Sequence, residues 1–100
     1  MPEMTPFKYG GFYDVPRCIS LEYRGFRFLL QSWFDEEIDE YPDMYAVSIV
    51  PPLADVFPPC SPEFLSVPMT HIGYLPIADV VFDESKRKGL DASVLDRFLG

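Results

Sequence analysis

The strongest periodic signal in the chain runs from Arg17 to Gln31. Ile19, Leu21 and Tyr23 alternate there with Ser20, Glu22 and Arg24, and Phe26, Phe28 and Leu30 then repeat the same period of two. Alternation of this kind places apolar side chains on one face of a strand, so the segment predicts two strands. A two-residue turn at Arg24-Gly25 sets the register: Tyr23 faces Phe26, Leu21 faces Phe28 and Ile19 faces Leu30. Glu22 then falls opposite Arg27 on the other side, a cross-strand charge pair worth ~0.2–1 kcal/mol, and Gly25 supplies the positive φ that a tight hairpin turn demands. Cys18 is out of phase with the apolar set and is expected on the face of Glu22 and Arg27, where solvent can reach it, in a structural role.

Alternation returns in Met44 to Val50, with Tyr45, Val47 and Ile49 on one side, and predicts a third strand antiparallel to the hairpin. Thr70 to Tyr74 and Ile77 to Phe82 predict two further short strands separated by Pro76, with Gly73 at a bulge or bend. Between them, Val50 to Pro62 carries Pro51, Pro52, Pro58, Pro59 and Pro62. Proline fixes φ and removes a donor, so neither a helix interior nor a central strand can cross this stretch, which reads as a long, stiffened surface loop. At the end of the chain, Asp91 is placed to cap a helix over residues 92–99. Leu90 and Leu95 would form its hydrophobic staple, and an apolar face of Val94, Leu95, Phe98 and Leu99 must dock on the sheet, because so short a helix is unstable alone.

These elements predict a mainly β fold, with α+β as the variant. The expected architecture is a small antiparallel sheet or partly open barrel of about five strands with a short C-terminal helix packed on it. One hundred residues, 48% of them apolar, suffice for one core, so residues 1–100 are expected to form a single globular domain.

Charge narrows the partners. A net charge of −8 opposes nucleic acid and anionic membrane surfaces, both of which are bound through clustered Lys and Arg, and no apolar run approaches the ~20 residues of a spanning helix. The acid and the prolines of Met1 to Pro6 do not resemble a secretory leader, and Cys18 and Cys60 make neither a disulfide framework nor a zinc pattern, so reduced thiols in a cytoplasmic protein are expected, with a single Cys18–Cys60 bridge as the minor alternative.

The charge is also concentrated. Asp35, Glu36, Glu37, Asp39, Glu40 and Asp43 fall within nine residues with no basic residue among them, and Trp33, Phe34, Tyr41 and Tyr45 flank them. Pro42 breaks any strand through this stretch, which must be a solvated connection. Aromatic rings give rigid contact area at small entropic cost and clustered carboxylates speed encounter with a cation. Trp33, Asp35, Glu36, Glu37, Asp39, Glu40, Tyr41 and Asp43 are therefore the expected partner-binding residues, and a basic protein is the expected partner.

Metal chemistry has weaker support. The acids lack the alternate spacing, the central Gly and the terminal Glu of an EF-hand loop, although a helical turn over Asp35 to Glu40 would set Asp35 beside Asp39 and Glu36 beside Glu40, where a cation could bridge them. His71, the one histidine, has no carboxylate or cysteine at ligand spacing and reads as a strand residue. Lys86-Arg87-Lys88 is too short for a polyanion site and reads as a turn before Gly89, or as a contact for the acidic loop within one chain or across a symmetric homodimer. No phosphate-loop, dinucleotide, nucleophile-elbow, zinc-protease or Cys-x-x-Cys pattern occurs, and no cofactor is implied.

A protein-binding module of the inhibitor, immunity or adaptor kind, using an acidic aromatic loop, is the function these residues predict. The alternatives are a small enzyme with a carboxylate-based or divalent-metal site between the sheet and the proline-rich loop, and a structural homo-oligomer paired through a sheet edge.

Overall fold

The computed structural model describes residues 4–13, 15–58, 60–82 and 89–99. Its strands are β1 (Thr5–Pro6), β2 (Lys8–Tyr13), β3 (Val15–Tyr23), β4 (Phe26–Gln31), β5 (Met44–Val50), β6 (Thr70–Pro76) and β7 (Gly89–Leu90). Strands β2 to β6 form one five-stranded sheet in chain order, each antiparallel to its neighbour, and β1 pairs with β7 in a separate two-stranded sheet. The larger sheet is open, with β2 and β6 at its edges, and does not close into a barrel.

The hairpin forms in the register its alternation predicts, with Ile19 opposite Leu30, Leu21 opposite Phe28, Glu22 opposite Arg27 and Tyr23 opposite Phe26. Arg24 (φ 53°) and Gly25 (φ 83°) both take the left-handed conformation, the pair of positive φ values that matches a two-residue loop to the twist of its strands. The predicted third strand is β5, over the expected residues. Strand β2 was not anticipated, since Lys8 to Tyr13 holds two glycines and no clean alternation.

Ile19, Leu21, Phe28, Leu30, Tyr45, Val47 and Leu75 line one face of the sheet and are buried beneath Val80, Leu90, Ala92 and Leu95. The terminal segment Ala92–Phe98 is a 3-10 helix rather than the expected α-helix. Its inward residues Ala92, Leu95 and Phe98 recur every three positions, the repeat at which side chains of a 3-10 helix eclipse. Asp91 caps it as expected, its carboxylate accepting from the Ser93 amide at 3.0 Å and hydroxyl at 2.7 Å, and these bonds hold its pKa below the ordinary carboxylate value.

One sequence expectation is corrected in the region that feeds this layer and one is met. Ile77 to Phe82 is not a strand: Ile77–Asp79 is a 3-10 turn and Phe82 makes a single bridge to Leu90. The chain turns because Pro76 ends β6 and the Ile77 amide donates to the Asp43 carbonyl at 2.8 Å instead of continuing a ladder. The expected bulge near Gly73 is present, since pairing with β5 slips between Gly73 and His71 and leaves Ile72 as the extra residue. A Cβ at Gly73 would come within 2.8 Å of the Phe98 ring, so the bare backbone is what lets the terminal helix sit against β6.

The opposite face is covered too, and this overturns the reading of Val50 to Pro62 as a surface loop. Cys18, Leu29 and Val50 are buried under Ala54, Phe64 and Val67. The prolines start short helices here: Pro52–Val56 is a 3-10 turn, and α1 (Pro62–Leu65) opens on Pro62 with the Ser61 hydroxyl accepting from the Phe64 amide at 3.2 Å. Proline suits the first helical position because its missing donor has no partner there. Cys18 and Cys60 are joined by a disulfide with their Cα atoms 6.3 Å apart, which corrects the expectation of reduced thiols. Cys18 does lie on the Glu22 and Arg27 face but is fully buried by this lid rather than accessible. Arg27 adds a second tie, its Nε 2.9 Å from Asp55 Oδ1 and its Nη2 3.1 Å from Oδ2, with Glu22 at 3.7 Å.

Candidate functional site

The acidic connection between β4 and β5 is a closed turn. The Asp35 amide donates to the Glu40 carbonyl at 2.9 Å and the Glu40 amide returns a bond to the Asp35 carbonyl at 3.3 Å, which brings the two ends of the turn together. Inside it, Asp35 Oδ1 accepts from the Glu37 amide at 2.9 Å, and Asp39 sits at φ 55°, a conformation that Asp and Asn tolerate better than other side chains. No helical turn forms, so the stacking of Asp35 on Asp39 and Glu36 on Glu40 considered for a cation does not arise. Among the described residues no three His, Cys, Asp or Glu side chains converge as a metal cage.

The stems of the turn are anchored from below. Ser32 and Arg17 are both buried: the Ser32 amide donates to the Arg17 carbonyl at 2.7 Å, and the Ser32 hydroxyl accepts from Arg17 Nη1 at 3.2 Å and donates to the Pro42 carbonyl at 3.1 Å. The Arg17 guanidinium lies 4.5 Å from the centre of the Tyr41 ring, which meets Phe34 edge-on at 5.4 Å. One buried cation thus stands under the base of the acidic turn and stacks on one of its aromatic flanks.

Beside Arg17, the Tyr45 hydroxyl donates to the Pro16 carbonyl at 2.6 Å. Burial pushes the Tyr45 phenol well above its ordinary value, and the Arg17 charge opposes that only in part. The folded state therefore holds this proton more tightly than the unfolded chain, so the contribution is intact below the unfolded phenol value near ~10 and is lost progressively from there as pH rises through the higher folded value. Unfolding midpoints in urea are expected to fall as pH is raised above ~10, and Tyr45→Phe is expected to flatten that slope while lowering stability by roughly 1–2 kcal/mol at neutral pH, because the Pro16 carbonyl loses its donor.

The predicted partner-binding residues lie on the one connection between β4 and β5. Glu36, Glu37, Asp39, Glu40 and Asp43 are exposed, Asp35 and Tyr41 are half-buried, and Trp33 is 44% exposed. Arginine pairs among the described residues engage Glu22, Asp55, Asp79 and Asp96, all outside the turn. Ile38, at the tip between the acids, is also exposed.

Sequence reasoning did not find the groove beside the turn. Trp33, Pro42, Met44, Ala46 and Tyr74, with Gln31 and Ser32, line an apolar depression of about 450 Å³. The Trp33 indole N–H donates to Gln31 Oε1 at 2.8 Å, so the one donor of this half-exposed ring is already satisfied. Met44 and Ala46 are the outward set of β5, a signal present in the alternation. Tyr74 could not be placed beside them, because the Ile72 bulge changes the phase of β6.

A second depression, about 440 Å³, lies between the sheet and the proline-rich lid, where the enzymatic alternative would put its site. Its polar side chains Arg27, Asp55 and Glu22 are paired with one another and hold the lid down. His71 is exposed in β6 with its ring edge-on to Tyr74 at 4.9 Å. Lys86, Arg87 and Lys88 lie outside the described residues, as does any contact they make with the acidic turn. No helix among the described residues is long and apolar enough to cross a membrane. No family model, curated protein or solved structure matches this chain.

Proposed function

We propose that the protein is a binding module that engages a basic protein through the acidic turn and the aromatic residues on its stems. The observation that carries this reading is the closed turn itself: four exposed carboxylates and Asp35 are held on a short, bonded loop, with exposed Asp43 on its stem, and its base is packed on buried Arg17 and Ser32. Preorganised charge costs little to order on binding and steers a cationic surface into register. Trp33, Asp35, Glu36, Glu37, Asp39, Glu40, Tyr41 and Asp43 form the proposed contact surface. An enzymatic reading lacks comparable support, since the charged groups of the lid depression are engaged, Arg27 pairing with both Asp55 and Glu22. Edge pairing into a homo-oligomer is opposed by the bulge and Pro76, devices that blunt strand β6.

The disulfide bears on where such a partner is met. Disulfides persist in oxidising compartments and cytosolic thiols stay reduced, so the bridged form suits an oxidising setting, while work in a cytoplasm calls for the dithiol. Thiol counting on protein taken from its native source decides between the two.

Replacing Glu36, Glu37 and Glu40 by Gln and Asp39 by Asn is the direct test. Asn tolerates the left-handed backbone at residue 39, and the Asp35 carboxylate that receives the Glu37 amide is left in place, so thermal unfolding is expected to be unchanged. Affinity for a basic partner recovered by pull-down is expected to fall roughly tenfold or more, with a shallower dependence on salt. Unchanged affinity in this variant would show that the turn is not the interface.

A further inference from the structure

We propose that the groove beside the acidic turn is a seat for an arginine side chain of the partner protein, an inference that rests on the acidic turn being the binding edge. The groove's walls are apolar and aromatic, with Trp33 on one stem of the turn, Pro42 and Met44 on the other, and Tyr74, 60% exposed, from the neighbouring strand. The indole donor is already used by Gln31, so Trp33 offers a ligand its apolar ring rather than a hydrogen bond.

The field around the groove selects the ligand. Asp43 is exposed between two groove residues, Pro42 and Met44, and the carboxylates of residues 35–40 stand on the loop that those stems carry. An anion is repelled, and a purely aliphatic side chain gains nothing from this potential. A guanidinium is flat, weakly hydrated and always charged; it stacks on aromatic faces while its N–H groups reach carboxylates, and its methylenes cover apolar surface such as Met44. Lysine, a strongly hydrated point charge, shares the attraction but not the stacking. The same chain already uses this pairing twice, with Arg17 4.5 Å over Tyr41 at the base of the turn and Arg24 5.4 Å over Tyr23.

Trp33 is the only tryptophan in the chain, so its emission reports occupancy of the groove directly. Nonaarginine, nonalysine and nonacitrulline serve as probes, with calorimetry as the independent measure of binding. Nonaarginine is expected to change Trp33 emission and to bind several-fold more tightly than nonalysine, while the uncharged nonacitrulline leaves both signals unmoved. Tyr74→Ser, at an exposed position, is expected to weaken nonaarginine about fivefold and nonalysine less than twofold. Heat of binding without a change in Trp33 emission, with equal affinity in Tyr74→Ser, would overturn the arginine seat and leave the acidic turn as the interface. Emission changes that survive intact in the amide-substituted turn would overturn the turn as the interface, and with it the claim that its carboxylates select the arginine. Absence of both signals with every cationic probe overturns the seat outright.

Discussion

Replacing Cys18 and Cys60 together by alanine is expected to lower the free energy of unfolding by roughly 4 kcal/mol. The bridge spans 42 residues of sequence, and closing a loop of that length in the unfolded chain removes entropy of this order. Domains of this size hold only ~5–15 kcal/mol in total, so the variant should unfold at a much lower urea concentration. The damage should also be local before it is global. Cys60 ties residues 51–69 to strand β3, and with the bridge gone that lid rests on Ala54, Phe64 and Val67 and on the Arg27–Asp55 pair. Amide exchange is therefore expected to accelerate first across Pro52–Val56 and α1, while the amides of Asp35, Glu37 and Glu40, held by their own bonds, keep their protection. Reducing agent added to the unmodified protein should reproduce the shift. An unfolding midpoint indifferent to both treatments would mean that the lid is not held by the bridge.

What could be foreseen without coordinates follows the range of the interactions. The hairpin from Arg17 to Gln31 was legible because both of its determinants are local: a period of two and a two-residue turn that Gly25 can adopt. Strand β5 was legible for the same reason, and so was the exposed character of Asp35 to Asp43, since six acids in nine residues leave no other arrangement. The second buried face was not legible. Cys18 and Leu29 look outward when the alternation of their own strands is considered alone, and their cover arrives from Ala54, Phe64 and Val67, in a stretch whose prolines suggest only a loop. The terminal segment shows a third kind of limit. Val94 and Phe98 suit an α-helical face, Ala92, Leu95 and Phe98 suit a 3-10 face, and the sequence of the segment alone does not choose between them; in the fold Ala92 and Leu95 are the buried pair. At the proposed binding surface, Trp33 and the acids come from one continuous stretch and are readable as a group from the sequence, whereas the groove also needs Tyr74, brought alongside by strand pairing and shifted in phase by a bulge.

Phe28 and Leu29 provide the sharpest test of the two-sided core, because they are adjacent, point to opposite faces and are both fully buried. Phe28→Ala is expected to cost roughly 3–5 kcal/mol and Leu29→Ala roughly 2–5 kcal/mol, the range for truncating a buried aromatic or leucine where neighbours relax only in part. The two losses differ in kind. Truncating Phe28 opens a cavity between the sheet and the C-terminal layer of Leu90, Ala92 and Leu95, and should speed exchange in Ala92–Phe98. Truncating Leu29 opens one beneath the proline-rich lid and should destabilise residues 51–69 instead. A sheet covered on one side only would behave otherwise, since an outward leucine changed to alanine shifts stability by no more than about 0.5 kcal/mol. Measured by urea unfolding, a Leu29→Ala cost that small would remove the lid from the second face, and with it the reason the β4 end of the acidic turn is held on a rigid strand.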